Sequence, residues 1–336
     1  MKAAVIPDRA VQKMRAIAQS EYGSPDVLKL VEIDRPVVGD NGVLVRTRAA
    51  AIHAGDWHLM RGKPFMIRFI YGGLQKPQVK ILGCDVAGEV EAVGKDVTQF
   101  KPGDLVFGDL SESGFGTFAE YVCAPETAFA LKPANLSFEE AASIPVSALA
   151  ALQGLRDAGQ IQSGQKVLVN GASGGVGSFA VQIAKAFGAE VSAVCSQSKI
   201  EMVQSIGADY ICPRTQAKSK LNQGYYDLIL DVAAYNSAFD NLPLLTPTGT
   251  YVVVGGSTGR LFQAMFLGAW ISRTNSKKVK CLVSKPNQDD LIVLKDLIEA
   301  GKIRPYIDRS YPLSEIPAAI RYLEERQVRG KVAIAV

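Results

Sequence analysis

Between Lys166 and Val191 the sequence reads KVLVNGASGGVGSFAVQIAKAFGAEV: an apolar run, a glycine-rich turn, an amphipathic stretch and a second apolar run. Ala172, Gly174 and Gly177 stand at the spacing of the dinucleotide fingerprint GxGxxG, with Ala in the first place and Gly171 and Gly175 adding freedom. Residues without a Cβ let backbone N–H groups approach a pyrophosphate, and the N-terminus of the following helix adds donors and a favourable dipole. The end of the second run decides which dinucleotide fits. NAD calls for a carboxylate to accept from the ribose hydroxyls, but VSAVC ends at Cys195 and is followed by Ser196, Gln197, Ser198 and Lys199, with Arg214 further on. A hydroxyl and cations suit a 2′-phosphate, so the expected cofactor is NADPH. The bland alternative makes Lys199 and Arg214 ordinary solvated charges.

Other reactive side chains are few. The only two histidines, His53 and His58, share the segment HAGDWH, and the five cysteines are scattered without a CxxC pair. That pattern argues against a disulfide framework and a structural zinc knuckle, and reads as reduced thiols. Tyr71 lies in RGKPFMIRFIYGGLQKPQ, an insertion between two β segments that could form a lid over a cleft. It is a candidate proton donor, against the plainer reading of an aromatic packed in an apolar loop.

These residues need a scaffold. With 336 residues, 48% hydrophobic and 21% charged, the chain has the composition of a globular protein of two domains. Its apolar runs fall short of the roughly 18 to 20 residues of a membrane span. A net charge of +4 with no basic block beyond Lys277 and Lys278 does not imply nucleic acid. The opening MKAAVIPDRAVQKM has no apolar core followed by a cleavage site, so a cytoplasmic address is expected.

Up to about Pro133 short runs broken by Gly and Pro predict antiparallel strands over Val27–Ile33, Gly42–Ile52, Val86–Val93, Asp104–Phe107 and Thr117–Val122. From Ser137 onward helices alternate with short apolar strands, the pattern of a parallel sheet with crossover helices. The predicted strands are Lys166–Asn170, Glu190–Cys195, Asp227–Val232, Thr250–Val254 and Val279–Val283. Val176, Phe179, Ala180, Ile183, Ala184 and Phe187 lay one apolar stripe on a helix that Gly188 ends. After Lys285 two helices and a closing strand, Lys331–Val336, do not continue the parallel sheet and are assigned back to the first domain. The expected division is 1–138 and 285–336 against 139–284.

With the loop placed, the chain resembles the zinc-independent quinone oxidoreductase branch of the medium-chain dehydrogenase/reductase superfamily. The resemblance runs from Met14 to the C-terminus through MRAIAQSEYGSPDVLKL, AAAIHAGDWHLMRG, LGCDVAGEVEAVGKDVTQFKPGDLVFG, GTFAEYV, EEAASIPVSALAALQGL, NGASGGVG, SIGADYI and RGKVAI. It implies an α/β fold in which a Rossmann doubly wound parallel sheet joins a GroES-like β domain made from both chain ends. It also implies transfer of a hydride from NADPH to a small electrophile, a quinone or an α,β-unsaturated carbonyl compound, and a homodimer paired along Val279–Val283. The family's cofactor positions fall on Ser173, Gly174, Gly175, Val176 and Gly177 for the pyrophosphate and on Ser196, Lys199 and Arg214 for the 2′-phosphate. Further contacts fall on Val254, Gly255, Val283 and Lys331. Two departures stand out: Ala150 replaces a Thr that would bond the cofactor, and Pro213 stands where a Tyr is common.

In zinc-dependent relatives a Cys, the His of GHE and a later Cys or Asp hold the metal. Here those places carry His53, Cys84 in GCD and about Val146, which supplies no ligand, although His58 or Asp85 could complete a set. The expectation is therefore no metal, and a substrate oxygen polarised by hydrogen-bond donors. His53 is the first candidate for that contact, since it stands where this branch commonly has Asn, and a histidine packed against backbone is its alternative. Asp56 in GDW matches a family residue and joins His53 and Tyr71 as a catalytic-site candidate, expected to orient the loop rather than to transfer a proton. A zinc-type alcohol dehydrogenase or carbonyl reductase, and a non-enzymatic NADPH-binding protein, remain as other readings.

Overall fold

The computed structural model describes residues 12–71, 73–256, 258–274 and 276–336; the first eleven residues, which carry most of the case against a leader, lie outside it. The first half supplies strands β1 (Lys13–Ala18), β2 (Lys29–Asp34), β3 (Gly42–Ile52), β4 (Asp85–Val93), β5 (Leu105–Asp109), β6 (Tyr121–Pro125) and β7 (Phe129–Leu131). The middle supplies β8 (Lys166–Asn170), β9 (Glu190–Cys195), β10 (Tyr210–Pro213), β11 (Tyr226–Asp231), β12 (Leu245–Val253) and β13 (Lys278–Cys281), and the end gives β14 (Ile307–Pro312) and β15 (Lys331–Ala335).

Strands β8 to β13 form one six-stranded parallel sheet in the order β10-β9-β8-β11-β12-β13. That is the doubly wound order, which reverses beside β8 and opens a crevice beyond the carboxyl ends of the strands. The second sheet runs β14-β15-β3-β4-β5-β7 with β6 also paired to β3, so strands from the C-terminus close a sheet begun near the N-terminus. This is the GroES-like β domain beside the Rossmann sheet. β1 and β2 form a separate hairpin-like pair.

Helices α1 (Ala54–Arg61) and α2 (Met66–Ile70) separate β3 from β4, α3 (Phe138–Ala142) and α4 (Pro145–Gln153) lead into the parallel sheet, and α5 (Gly175–Ala186) follows β8. Phe179, Ala180, Ile183 and Ala184 of α5 are wholly buried in one cluster with Val167 and Val169 of β8 and Leu149 and Leu152 of α4. The apolar stripe thus fixes the start of α5, and with it the glycine turn, against the sheet. Gly188 sits at φ +81° just beyond the helix, where a Cβ would be strained.

Most expected strands are present; β1 and β7 add to them, and three further differences have a local cause. Thr117–Val122 is not a strand: pairing with β3 begins only at Tyr121 and runs to Pro125. β12 starts at Leu245, earlier than Thr250, because a register shift between Tyr226 and Leu228 of β11 absorbs its Pro247 and Gly249. β10 escapes pattern reading because it is a four-residue edge strand ending in Pro213.

Candidate functional site

The glycine turn links β8 to α5. Gly171 adopts φ +86°, a left-handed conformation that only glycine holds without strain, and the N–H groups of Gly171 and Ala172 both donate to the Val194 carbonyl at 3.0 Å. Gly174 is the N-cap of α5 and offers no side chain to the first-turn N–H groups, which leaves donors for an anion. A Cβ on Gly177 would meet the Gly171 carbonyl oxygen at 2.1 Å, so glycine is needed there for the helix to reach the turn. A Cβ on Gly174 would meet only that same oxygen, at 3.7 Å, and otherwise open space. The turn therefore fits a pyrophosphate on backbone grounds. Ser173 is buried, and its carbonyl accepts from Gly330 N at 2.9 Å, which ties the segment before β15 to the turn.

Beyond β9, Ser196 opens the short turn Gln197–Lys199. Lys199 Nζ donates to the carbonyls of Val328 (2.7 Å) and Arg326 (3.1 Å), and an Arg329 guanidinium nitrogen donates to the Ser198 carbonyl at 3.3 Å. Burial holds the Lys199 ammonium below its usual pKa, opposed by Asp308, and the neighbouring Arg329 charge adds to the lowering. Pro213 pairs in register with Cys195, so Arg214 begins the next turn beside Ser196, its guanidinium 4.8 Å from the Tyr235 ring centroid. The end of β9 thus carries cations and no carboxylate. Arg329 was not singled out by spacing; its position beside Lys331 in the terminal RGK was the available signal.

The second group lies where α1 begins. His53 is the N-cap of α1: its Nδ1 accepts from Gly55 N at 2.8 Å, and its own N–H donates to Asp56 Oδ2 at 3.0 Å. That leaves Nδ1 without a proton and puts the ring hydrogen on Nε2, which lies 2.7 Å from Cys84 Sγ. Asp56 is wholly buried and its second oxygen accepts from Gly83 N at 3.1 Å. Burial raises the Asp56 carboxyl, with His53 pulling the other way, and burial pushes the Cys84 thiol well up. Asp56 therefore orients the HAGDWH and GCD segments against each other, and His53 spends both ring nitrogens inside the protein.

His53, Asp56 and Cys84 offer ligand atoms within 4.8 Å of one another. All three are residue types that hold zinc. Bond lengths of 2.0–2.1 Å to nitrogen and 2.3 Å to sulfur in a tetrahedral site would hold the two atoms about 3.5 Å apart. Nε2 and Sγ stand 2.7 Å apart, closer than that separation. Val146 at the third place gives only its backbone N–H, which donates to Asp85 Oδ1 at 2.8 Å.

Asp85 also accepts from Lys331 Nζ at 2.9 Å, and Lys331 donates to Ser147 Oγ at 3.1 Å, all three groups being nearly or wholly buried. Lys331 thus joins β15, β4 and α4, and its Cδ lies 3.1 Å from where a Cβ on Gly175 would sit. It borders the glycine turn while its charge is spent on Asp85.

Tyr71 caps α2, with its ring edge-on to Phe115 at 5.5 Å between centroids. Burial, and after it the nearby acidic groups Asp109 and Glu112, raise its hydroxyl above the usual phenol range. Asp109, the last residue of β5, was missed by sequence reading. It pairs in register with Asp85, accepts from Ser111 N at 2.9 Å, and is raised to about 6 by burial and by the Asp85 charge. Its signal was an acid closing the apolar run LVFGD.

The remaining positions are dispersed. Val254 and Gly255 follow β12, where a Cβ on Gly255 would come 2.8 Å from the Val232 carbonyl oxygen. Val283, past β13, is 72% exposed. Gln153, at the end of α4, holds this segment by accepting from Ser284 Oγ and Lys285 N and donating to the Lys285 carbonyl. No pattern pointed to it.

Residues 39–134 match the alcohol dehydrogenase GroES-like domain family, and residues 206–334 the zinc-binding dehydrogenase family. The chain is 34% identical to a 2-methylene-furan-3-one reductase of Solanum lycopersicum over 96% of its own length and 79% of the relative's. It is 32% identical to a chloroplastic NADPH-dependent alkenal/one oxidoreductase of Arabidopsis thaliana over 98% and 82%. The quinone oxidoreductase from Coxiella burnetii superposes with a TM-score of 0.85 at 29% identity, covering 97% of this chain and all of that one.

Proposed function

Because the chain belongs to the medium-chain dehydrogenase/reductase superfamily, in its quinone oxidoreductase-like branch, we propose that it reduces quinones or α,β-unsaturated carbonyl compounds with NADPH and without a catalytic metal. The observation that carries this reading is the glycine turn, bare of side chains at the N-terminus of α5. Ser173, Gly174, Gly175, Val176 and Gly177 would hold the pyrophosphate, and Val254, Gly255 and Val283 would line the remainder of the cofactor. Ser196, Lys199, Arg214 and Arg329 favour NADPH over NADH because they offer a hydroxyl and cations where a carboxylate would repel a 2′-phosphate. When bound, NADPH supplies the hydride.

The chain's own residues have three tasks. Lys331, Asp85 and Ser147 hold the β15, β4 and α4 segments around the turn. Cys84, kept a thiol by burial, and His53 with its Nε2 hydrogen close the wall behind the substrate oxygen; a bound carbonyl competes with Sγ for that hydrogen. Tyr71 keeps its proton at neutral pH and completes the reduction by giving it to the acceptor. The acceptor must already be electrophilic, since no metal polarises it.

The proposal includes the division 1–138 and 285–336 against 139–284, a homodimer joined along the β13 edge, and a cytoplasmic address. No helix among the described residues is long and apolar enough to cross a membrane.

Absorbance at the NADPH band with a panel of quinones, enones and simple aldehydes tests the reaction. Turnover of quinones or enones with NADPH, slower with NADH and unaffected by chelator, is the expected result. Binding of NADPH without turnover on any compound sinks the enzymatic reading, and activity that depends on bound zinc sinks the metal-free one.

A further inference from the structure

Helix α2 and its flanks present an apolar face with nothing on it. Phe65, Met66, Phe69 and Ile70 are each at least half exposed, and Leu74 nearly so. The two phenylalanine rings stack edge-on at 5.3 Å, which makes one patch of them. The opposite side of the segment is anchored. Ile67 packs into the core that contains Cys84 and Phe115. Arg68 donates to the carbonyls of Gly62 and Leu74 and lies over the Tyr22 ring, and Tyr22 OH donates to the Gly73 carbonyl. The patch is therefore held outward by a fixed base.

Its charge surroundings are one-sided. From Trp57 to Cys84 the sequence has no Asp or Glu and carries Arg61, Lys63, Arg68, Lys76 and Lys80. Lys63, Lys76 and Lys80 are exposed and form no ion pair among the described residues, whereas Arg61 is tied to Glu324. Contiguous exposed apolar surface marks an interaction site. Four half-covered side chains amount to roughly 400 Å², short of the roughly 800 Å² per partner of a stable protein interface. Aromatic and aliphatic side chains in a segment whose exposed lysines form no ion pair and that has no acid instead match the boundary of a bilayer with anionic headgroups, where shallow insertion and charge attraction add.

We propose that the α2 segment docks the protein on anionic lipid surfaces, with Phe65, Met66, Phe69 and Ile70 entering the interface and Lys63, Lys76 and Lys80 meeting the headgroups. This assignment stands independently of the reaction.

Co-sedimentation of the full chain with phosphatidylcholine vesicles, with and without phosphatidylglycerol, tests it. The expected result is binding that requires phosphatidylglycerol and falls with salt. Binding falls roughly tenfold in Phe69→Glu/Ile70→Glu and in Lys76→Glu/Lys80→Glu, and stays unchanged in the control Val37→Glu. Melting temperature and NADPH binding of the variants establish that they fold. Absent binding to anionic vesicles, equal binding by the α2 variants, or equal loss in Val37→Glu overturns the proposal. So does a change of oligomeric state in Phe69→Glu/Ile70→Glu, which would make the patch a contact between copies of the chain.

Discussion

His53 Nε2 lies 2.7 Å from Cys84 Sγ while Nδ1 of the same ring accepts from Gly55 N at 2.8 Å. The ring is thus fixed at both ends, and its one hydrogen points at a thiol that burial keeps protonated. The pair brings together two metal-ligating residue types in one contact at the start of α1.

Elemental analysis of the purified protein is accordingly expected to find zinc well below one per chain, and dialysis against chelator to leave turnover unchanged. One zinc per chain, lost together with activity, contradicts the arrangement.

Removing the Tyr71 hydroxyl with Tyr71→Phe is expected to lower kcat roughly 100-fold, the lower end of what a positioned proton donor contributes. NADPH affinity should hold. If kcat is retained, the proton comes from elsewhere, and Asp109→Asn is the next variant to measure.

Lys199→Ala should weaken NADPH binding roughly 10-fold to 100-fold, as loss of a charge-assisted hydrogen bond worth about 1.5–3 kcal/mol requires. NADH binding should barely change. Fluorescence titration with both cofactors decides, and equal loss for the two would make Lys199 a brace for the 326–328 segment alone.

Lys331→Met leaves the buried Asp85 carboxylate without its cation and should cost about 3–5 kcal/mol of stability. Denaturant unfolding reads this directly. The double variant Asp85→Asn/Lys331→Met should recover part of the loss, since no lone charge then remains; absence of recovery would mean the pair acts through packing.

Asp109 supplies a pH dependence with a definite sign. Its folded-state pKa of about 6 exceeds the ordinary carboxylate value, so the folded chain keeps a proton that the unfolded chain releases. Stability from this group is full below about pH 4 and is lost as pH rises through 6. Asp109→Asn should therefore be more stable than the native protein at pH 8, by on the order of 2–3 kcal/mol, and the difference should shrink toward pH 4. A pH-independent difference would contradict the buried carboxyl.

Sequence reading succeeded where local pattern and tertiary context agree. Lys166–Asn170, Glu190–Cys195 and Gly42–Ile52 have the expected bounds, because largely apolar runs, with period-two alternation through Arg46, Thr47 and Arg48 in the last, leave a strand few alternatives. Thr117–Val122 failed because the Thr117–Glu120 stretch bonds piecewise to Gly83, Leu82 and Arg15 instead of forming a ladder. The glycine turn and the HAGDWH segment were legible from residue type and spacing. The Lys331–Asp85–Ser147 cluster was not, since its members lie 246 and 184 residues apart and meet only through the sheet order. Asp109 and Gln153 depend likewise on which strand or loop lies opposite, and that is decided by long-range pairing.

That sheet order has a consequence for synthesis. β3 pairs with β4, with β6 over residues 42–46 and with β15 over residues 49–52, so the nascent chain carries an open end of β3 while the whole parallel sheet is translated. The parallel sheet draws all its strands from one continuous stretch and is able to assemble first. Ribosomes that stop before Lys331 would release a polypeptide whose first sheet lacks an interior strand, an unpaired template for aggregation that cells must clear or shield.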